Sequence, residues 1–354
     1  MNLHLENYLS QLDSLLLIMN ELASKLQEYL IIRRSDDSII VEDFEAFRFG
    51  FQTVKYTFTL HSTVDKEATT KKYILRMFPD GYRGFGAKNE FTIMDSLYKE
   101  GFPVPRVILF EEDKSILGKP FLMMEFIEHK LLYTFVLDAS QDQQEYWMKK
   151  FSNLLVKLHR IDWKKIVSDR IPKNTDDPYF TVDAYIKEWE LLSEEFGLVQ
   201  FKPIITWLKK HRENYPAKRL GFIHRDYHMS NVLVAEDESM YVVDWAASNV
   251  ADTRIDVART VNVFTMLGVG KLVPLFLKYY EEFLGEPIGD LTLFEVATSL
   301  HLLLFCFSIF NYPDKESEEF KETLKRARVW LKNLYEFLVE RTQIKIPEIE
   351  AMLE

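Results

Sequence analysis

From Asp142 onward the chain reads as helix after helix, interrupted by a single β-like island at residues 222–245. Apolar residues recur at helical spacing through 143–160, 181–197, 202–214, 254–267, 271–284, 289–310 and 316–341. Any fold must therefore hold a short β-ribbon inside a helical body. Upstream the texture is different. Aromatic and β-branched residues with partial alternation predict three antiparallel strands, at Phe44–Phe51, Val54–His61 and Lys72–Phe78. A helix is expected from about Ala87 to Glu100, stopping at Gly101 with Pro103 and Pro105 beyond it. Two further strands fit Arg106–Phe110 and Phe121–Phe126. At about 100–200 residues per domain, 354 residues suggest two domains. The expectation is an α+β, two-lobed chain: a sheet-and-helix lobe over 1–127, then a larger helical lobe over 128–354.

Residues 3–34 read as one amphipathic helix. Leu5, Leu9, Leu12, Leu16, Met19, Ala23, Leu26 and Leu30 alternate steps of four and three, the spacing of a heptad seam. Leu15, Leu17, Ile18 and Leu22 widen the stripe, which favours packing on the helix's own domain over a dimer seam. A monomer, or a homodimer through this helix, is expected. Composition excludes other roles. The net charge of −11, with no long basic stretch, argues against nucleic-acid and anionic-membrane partners. The most apolar run, Leu300 to Phe310, is too short to span a bilayer and contains His301 and Ser308. No Lys or Arg precedes Lys25, so a secretory signal is not expected. The one cysteine, Cys306, rules out an internal disulfide or a cysteine zinc cage, and a cytoplasmic, reducing location is expected.

The island carries the chemistry. It runs Gly221-Phe-Ile-His224-Arg-Asp226-Tyr-His228-Met-Ser-Asn231, then Val-Leu-Val, a polar turn, and Tyr-Val-Val-Asp244-Trp245. A simple hairpin would pair Val234 with Tyr241 and Val232 with Val243, setting Asn231 opposite Asp244. Directly opposed residues point to one face with Cβ atoms about 4.5–5.5 Å apart. An amide oxygen and a carboxylate so placed can share a hard cation, and Mg²⁺ suits them because phosphate and water complete its octahedron. Asp226, five residues before Asn231, can sit beside the same ion. One carboxylate to orient a hydroxyl, with an amide and a second carboxylate to hold metal, is the inventory of phosphoryl transfer.

At this point the sequence resembles a known family. The island is similar to the catalytic core of the aminoglycoside phosphotransferase and choline kinase-like superfamily, relatives of protein kinases, whose loop reads His-x-Asp-x-x-x-x-Asn with a metal-binding Asp further on. The resemblance implies a two-lobed protein-kinase-like fold. Asp226 becomes the catalytic Asp, Asn231 and Asp244 the Mg²⁺ ligands, and His224 a structural residue. His228 marks the small-molecule branch, where serine/threonine protein kinases usually carry Lys. Ala251-Asp252-Thr-Arg254-Ile-Asp256-Val-Ala258 is similar to the family's Gly-Asp-Pro-Arg-x-Asp-x-Ala, so Asp256 would brace the catalytic loop. Upstream, Tyr73-Ile-Leu-Arg76 resembles the third strand and Glu90 its paired acid. Gly118-Lys-Pro-Phe121-Leu-Met-Met124-Glu125-Phe-Ile127 resembles the hinge, with the Glu125 and Ile127 backbones at the adenine edge.

Four positions depart from the pattern. Arg76 replaces the usual Lys, Gly50 alone marks the glycine-rich loop, and Arg225 and His129 stand where Gly is frequent. The reading is a phosphotransferase moving the γ-phosphate of ATP or GTP to a small-molecule hydroxyl, the acceptor being aminoglycoside-, choline- or sugar-like. Alternatives stay open: a catalytically dead nucleotide-binding module, or a metal-dependent hydrolase using His224-x-Asp226-x-His228. A protein kinase fits less well, because only 12 residues lead from Asp244 to Asp256. The acceptor would lie among about 171–215 and 289–340, where Tyr179, Phe180, Tyr185, Trp189, Phe305, Phe310 and Tyr312 are core or pocket residues. Glu188, Glu190, Glu194 and Glu195 read as a solvated helix face.

Overall fold

The computed structural model describes residues 2–47, 54–64, 67–79, 87–167, 176–310 and 318–354. The chain divides into two units, the first made of Met1–His129 with Ala235–Ala246, the second of Lys130–Val234 with Ala247–Glu354. Along the first run lie α1 (Asn2–Arg34), β1 (Ile40–Phe47), β2 (Val54–Val64), β3 (Glu67–Met77), α2 (Ala87–Lys99), β4 (Val107–Glu111), α3 (Lys114–Leu117) and β5 (Phe121–Glu125). The five strands form one antiparallel sheet in the order β1-β2-β3-β5-β4.

Side-chain alternation gives the sheet two different faces. On one, Phe58, Leu60, Tyr73, Leu75, Phe121 and Met123 are buried with Leu26 and Leu30 of α1. The later part of the α1 stripe thus packs on its own unit, whereas Leu17 and Ile18 remain exposed. The other face carries the alternate residues, among them Arg76, with Lys55 and Leu122 as its cross-strand neighbours. α2 buries Asn89, Glu90, Ile93, Met94 and Leu97, and the chain turns away at Gly101 with φ of 77°. Only a residue free of a Cβ adopts that φ without strain.

Three strand limits differ from expectation. β1 starts at Ile40 rather than Phe44, because Ser38 and Gln27 tie down its entry: Ser38 Oγ accepts from Thr63 N at 2.9 Å and Gln27 Oε1 from Val41 N at 2.8 Å. β2 and β3 run on as a polar ribbon to Val64 and from Glu67. There the rungs are hydroxyl and imidazole pairs, His61–Thr70 and Ser62–Thr69 at 2.9 Å each, which a hydrophobic alternation cannot reveal.

The second unit opens with β6 (Lys130–Leu131), α4 (Leu132–Val136), α5 (Gln141–Arg160), α6 (Trp163–Ile166), α7 (Phe180–Glu195), α8 (Lys202–His211), β7 (Leu220–Ile223) and β8 (Val232–Val234). Residues 235–246, with β9 (Met240–Val242), belong to the first unit. β10 (Asn249–Asp252), α9 (Arg254–Met266), α10 (Val273–Leu284), α11 (Thr292–Phe310), α12 (Glu318–Thr342) and α13 (Pro347–Leu353) complete the chain. The helix after Ser140 starts on a capping box with Gln143, which satisfies two otherwise orphaned N–H groups. Trp189, Phe201, Leu208, Leu300, Leu331 and Leu334 form its core, with Cys306 buried and unpaired among them. Among the described residues, no helix is long and apolar enough to cross a membrane.

One pairing was not expected. β7 joins β10 antiparallel, with Gly221 opposite Ala251 and Ile223 opposite Asn249. A Cβ at Gly221 would stand 2.7 Å from Thr253 Cγ2 and 3.2 Å from the His159 carbonyl, so this close approach needs glycine.

Candidate active site

β7 delivers the chain to His224, and a buried carboxylate catches it there. Asp256, in the first turn of α9, accepts the His224 N–H on Oδ2 at 2.7 Å and the Arg225 N–H on Oδ1 at 2.6 Å. His159, at the end of α5, donates from Nε2 to the same Oδ2 at 3.1 Å, while its Nδ1 accepts from the Tyr280 hydroxyl at 2.7 Å. Asp256 and His224 are fully buried. A buried carboxylate is tolerated only when its oxygens are satisfied in this way.

That grip holds Arg225 at φ 66°, a region costing a non-glycine residue roughly 1–3 kcal/mol. Its side chain adds restraint: Nε donates to Tyr185 Oη at 2.9 Å and Nη2 to both Glu188 oxygens at 3.1 and 2.8 Å. Next, Tyr227 turns inward, its hydroxyl donating to the Phe151 carbonyl at 2.8 Å and its ring stacked on that of Phe151 at 4.4 Å. The Thr260 hydroxyl donates to the Tyr227 carbonyl at 2.7 Å. With its neighbours anchored, the Asp226 side chain keeps 32% of its surface exposed.

Arg259 of α9 meets Asp226 directly, donating from Nε and Nη2 to Oδ1 at 3.1 and 2.8 Å. Burial pushes the Asp226 carboxyl up, but Arg259 and His228 together, through charge and hydrogen bonds, outweigh it and hold the group well below the usual carboxylate range. His228 accepts the Ser230 N–H on Nδ1 at 3.2 Å, and its Nε2 lies 3.2 Å from Asn231 Nδ2 and 3.6 Å from Asp226 Oδ2. Asn231 Nδ2 donates to the Asp226 carbonyl at 2.9 Å and to Oδ2 at 3.3 Å. Since a carbonyl only accepts, that contact fixes the amide's orientation and assigns its oxygen to the opposite side.

In the first unit, Arg76 and Glu90 form a buried ion pair, the two residues being 4% and 2% exposed. Arg76 Nη2 also lies 3.5 Å from Asp244 Oδ1. Burial raises the Glu90 carboxyl above its usual range, with Arg76 pulling the other way. Asp244 lies past the end of β9 at φ 70°, its side chain 41% exposed, and β9 ends at Val242 instead of Val243. The following Trp245 is fully buried, its indole N–H on the Val242 carbonyl at 3.0 Å and its ring edge-on to Phe102. At the hinge segment, the Glu125 N–H is spent on the Arg106 carbonyl at 2.9 Å, and the Ile127 carbonyl is contacted by His129 Nδ1 at 2.5 Å. The Ile127 N–H has no partner among the described residues. Gly50 lies outside the described residues, as does Tyr312.

The donor chemistry fits magnesium better than zinc. Asp244 offers an exposed carboxylate and Asn231 an oriented amide oxygen, hard ligands of the sort Mg²⁺ takes in small number. The first imidazole of the hydrolase alternative is engaged locally: His224 Nδ1 accepts from Asp226 N at 3.3 Å, as His228 Nδ1 does from Ser230. Among the described residues, no group of three or more His, Cys, Asp or Glu is placed to hold a metal. Asn231 belongs to the second unit and Asp244 to the first.

One sequence expectation needs correction. Glu188 is not simply solvated: it pairs with Arg225 and, at 3.3 Å, with His301. Burial would raise its carboxyl, but the His301 hydrogen bond and the Arg225 charge bring it down to about 2. Tyr185 and Trp189 are core residues, and Phe305 and Phe310 pack against that core. Arg259 was missed altogether. Its signal is the three-residue step from Asp256, which puts both on neighbouring positions of one helix face.

Residues 59–291 match the model of the phosphotransferase enzyme family. Mouse acyl-CoA dehydrogenase family member 10 is 28% identical over 196 residues, 53% of this chain and 18% of that protein. The matches span only about a fifth to a quarter of the curated relatives' length. Among solved structures, a putative aminoglycoside phosphotransferase from Ralstonia eutropha superposes with a TM-score of 0.61 at 19% identity, covering 90% of this chain and 98% of that one. Spectinomycin phosphotransferase in complex with ADP and spectinomycin gives 0.59 at 15% identity, covering 91% and 99%.

Proposed function

The chain belongs to the phosphotransferase enzyme family, with the α+β protein-kinase-like fold, and from that premise we propose that it transfers the γ-phosphoryl group of ATP or GTP to a hydroxyl of a small molecule. The observation that carries the proposal is the anchored loop: Asp256 holds the backbone at His224 and Arg225, and Asp226 projects beside Arg259 and the Asn231 amide. ADP and spectinomycin in the related solved structure support a nucleotide donor and an alcohol acceptor.

In this reading Asp226 accepts a hydrogen bond from the acceptor hydroxyl and aims its oxygen at the phosphorus. Phosphoryl transfer has a loose transition state, so positioning matters more than base strength, and a low carboxylate pKa is no obstacle. Arg259 keeps Asp226 ionised and fixes its rotamer. Asn231 and Asp244 would hold Mg²⁺, which neutralises charge developing on the phosphate oxygens. Arg76, set by Glu90, faces the phosphates, and the backbones of Glu125 and Ile127 take the adenine edge. The acceptor is of aminoglycoside, choline or sugar type, and the protein acts in the cytoplasm.

A coupled ADP-release screen with ATP and GTP over aminoglycosides, choline, ethanolamine and simple sugars tests the proposal. Asp226→Ala should retain nucleotide binding and lose most turnover, whereas Asp244→Ala should weaken Mg-nucleotide binding as well. Full activity in Asp226→Ala would refute the assignment. Nucleotide binding with no turnover on any acceptor would favour the inactive binding module.

A further inference from the structure

Lys55 of β2 stands directly opposite Arg76 of β3 in the antiparallel register. Opposed residues on such a ladder point to the same face with Cβ atoms about 4.5–5.5 Å apart, and like charges there repel. The face is the one turned away from the α1 core, and the same electrostatic cluster includes Glu90 and Asp244. Arg76 is committed to Glu90 and stands 3.5 Å from Asp244. Lys55 is half-buried and has no hydrogen-bond or ion-pair partner among the described residues. Nor does it complete Glu90, whose Oε2 is buried without a hydrogen bond. Burial, and next the Arg76 charge, depress the Lys55 ammonium, against a weaker pull from Asp244 and Glu90.

A cation held beside a like charge, partly desolvated and unpaired, is unfavourable until an anion arrives. The two cations also differ in form. The Arg76 fork is occupied by a carboxylate, while a lysine is a compact point charge with three rotatable donors, suited to an oxygen-rich anion. Resting on the kinase reading above, we propose that Lys55 is a nucleotide-phosphate-binding residue, supplying from the second strand the free ammonium that Arg76 on the third strand cannot. Lys71 and Lys72 are poor substitutes, because they lie in the exposed part of β3, before its buried stretch.

Calorimetric titration of the full chain with Mg²⁺ tests this, using ATP or GTP, whichever the wild type binds, and the matching nucleoside. Lys55→Met and Lys55→Thr are compared with Lys55→Arg. A charge-assisted phosphate contact predicts about a 10- to 100-fold weaker nucleotide Kd in Met and Thr, with nucleoside binding unchanged and most affinity recovered in Arg. The melting temperature should not fall in Lys55→Met, since no native ion pair is lost. Nucleotide affinity within twofold of wild type in both Met and Thr would overturn the proposal, and so would a parallel loss for the nucleoside. A wild type that binds neither nucleotide would instead refute the kinase reading, and this proposal with it.

Discussion

Replacing Asp256 tests the anchored loop most directly. Its carboxylate accepts from His224 N, Arg225 N and His159 Nε2 at 2.7, 2.6 and 3.1 Å in a site closed to solvent. In Asp256→Ala all three donors lose their acceptor. Each buried unsatisfied donor costs about 1–3 kcal/mol, and water entering the vacated space recovers part of the sum. A net loss of about 3–5 kcal/mol is expected, the range for breaking a buried charged network. For a unit of this size, that lowers the melting temperature by about 6–20 °C. Asp256→Asn is milder. Its oxygen keeps one backbone N–H, and its amide can donate to His159 Nε2 if that ring moves its proton to Nδ1, facing the Tyr280 hydroxyl. One backbone N–H then remains unpaired, for about 1–3 kcal/mol. Circular-dichroism melts at 222 nm read both variants. An Ala variant within 2 °C of wild type, or an Asn variant as damaged as Ala, would show that the carboxylate does not hold the loop.

Two other sites give sharp expectations. Gly221→Ala should destabilise by about 1–3 kcal/mol in chemical denaturation, because the new methyl meets Thr253 Cγ2 at 2.7 Å, and Thr253→Ser in the same chain should recover much of the loss. Glu188 titrates near 2 in the folded chain against an ordinary value of 4.5, so its pairing stabilises fully above about pH 4.5 and is lost as pH falls toward 2. The melting-temperature gap between wild type and Glu188→Gln should therefore be widest at pH 5–7 and close only as pH falls to about 2. A gap independent of pH would contradict the pairing.

Local pattern carried much of the architecture. Strand alternation, helical spacing and the Gly101 stop are properties of neighbouring residues, so β5, α2 and the long helices were legible within a few positions. Asp226, Asn231 and Asp244 are site candidates for the same reason, since their spacing along one short stretch has chemical meaning. Contacts between distant segments were not. The pairing of β7 with β10, the seating of Arg259 on Asp226, the capture of Glu188 by Arg225 and His301, and the alignment of Lys55 with Arg76 each depend on strand register or helix phase. A one-residue slip in either would send those side chains elsewhere, and it is the packing of the assembled core, not the local sequence, that forbids the slip.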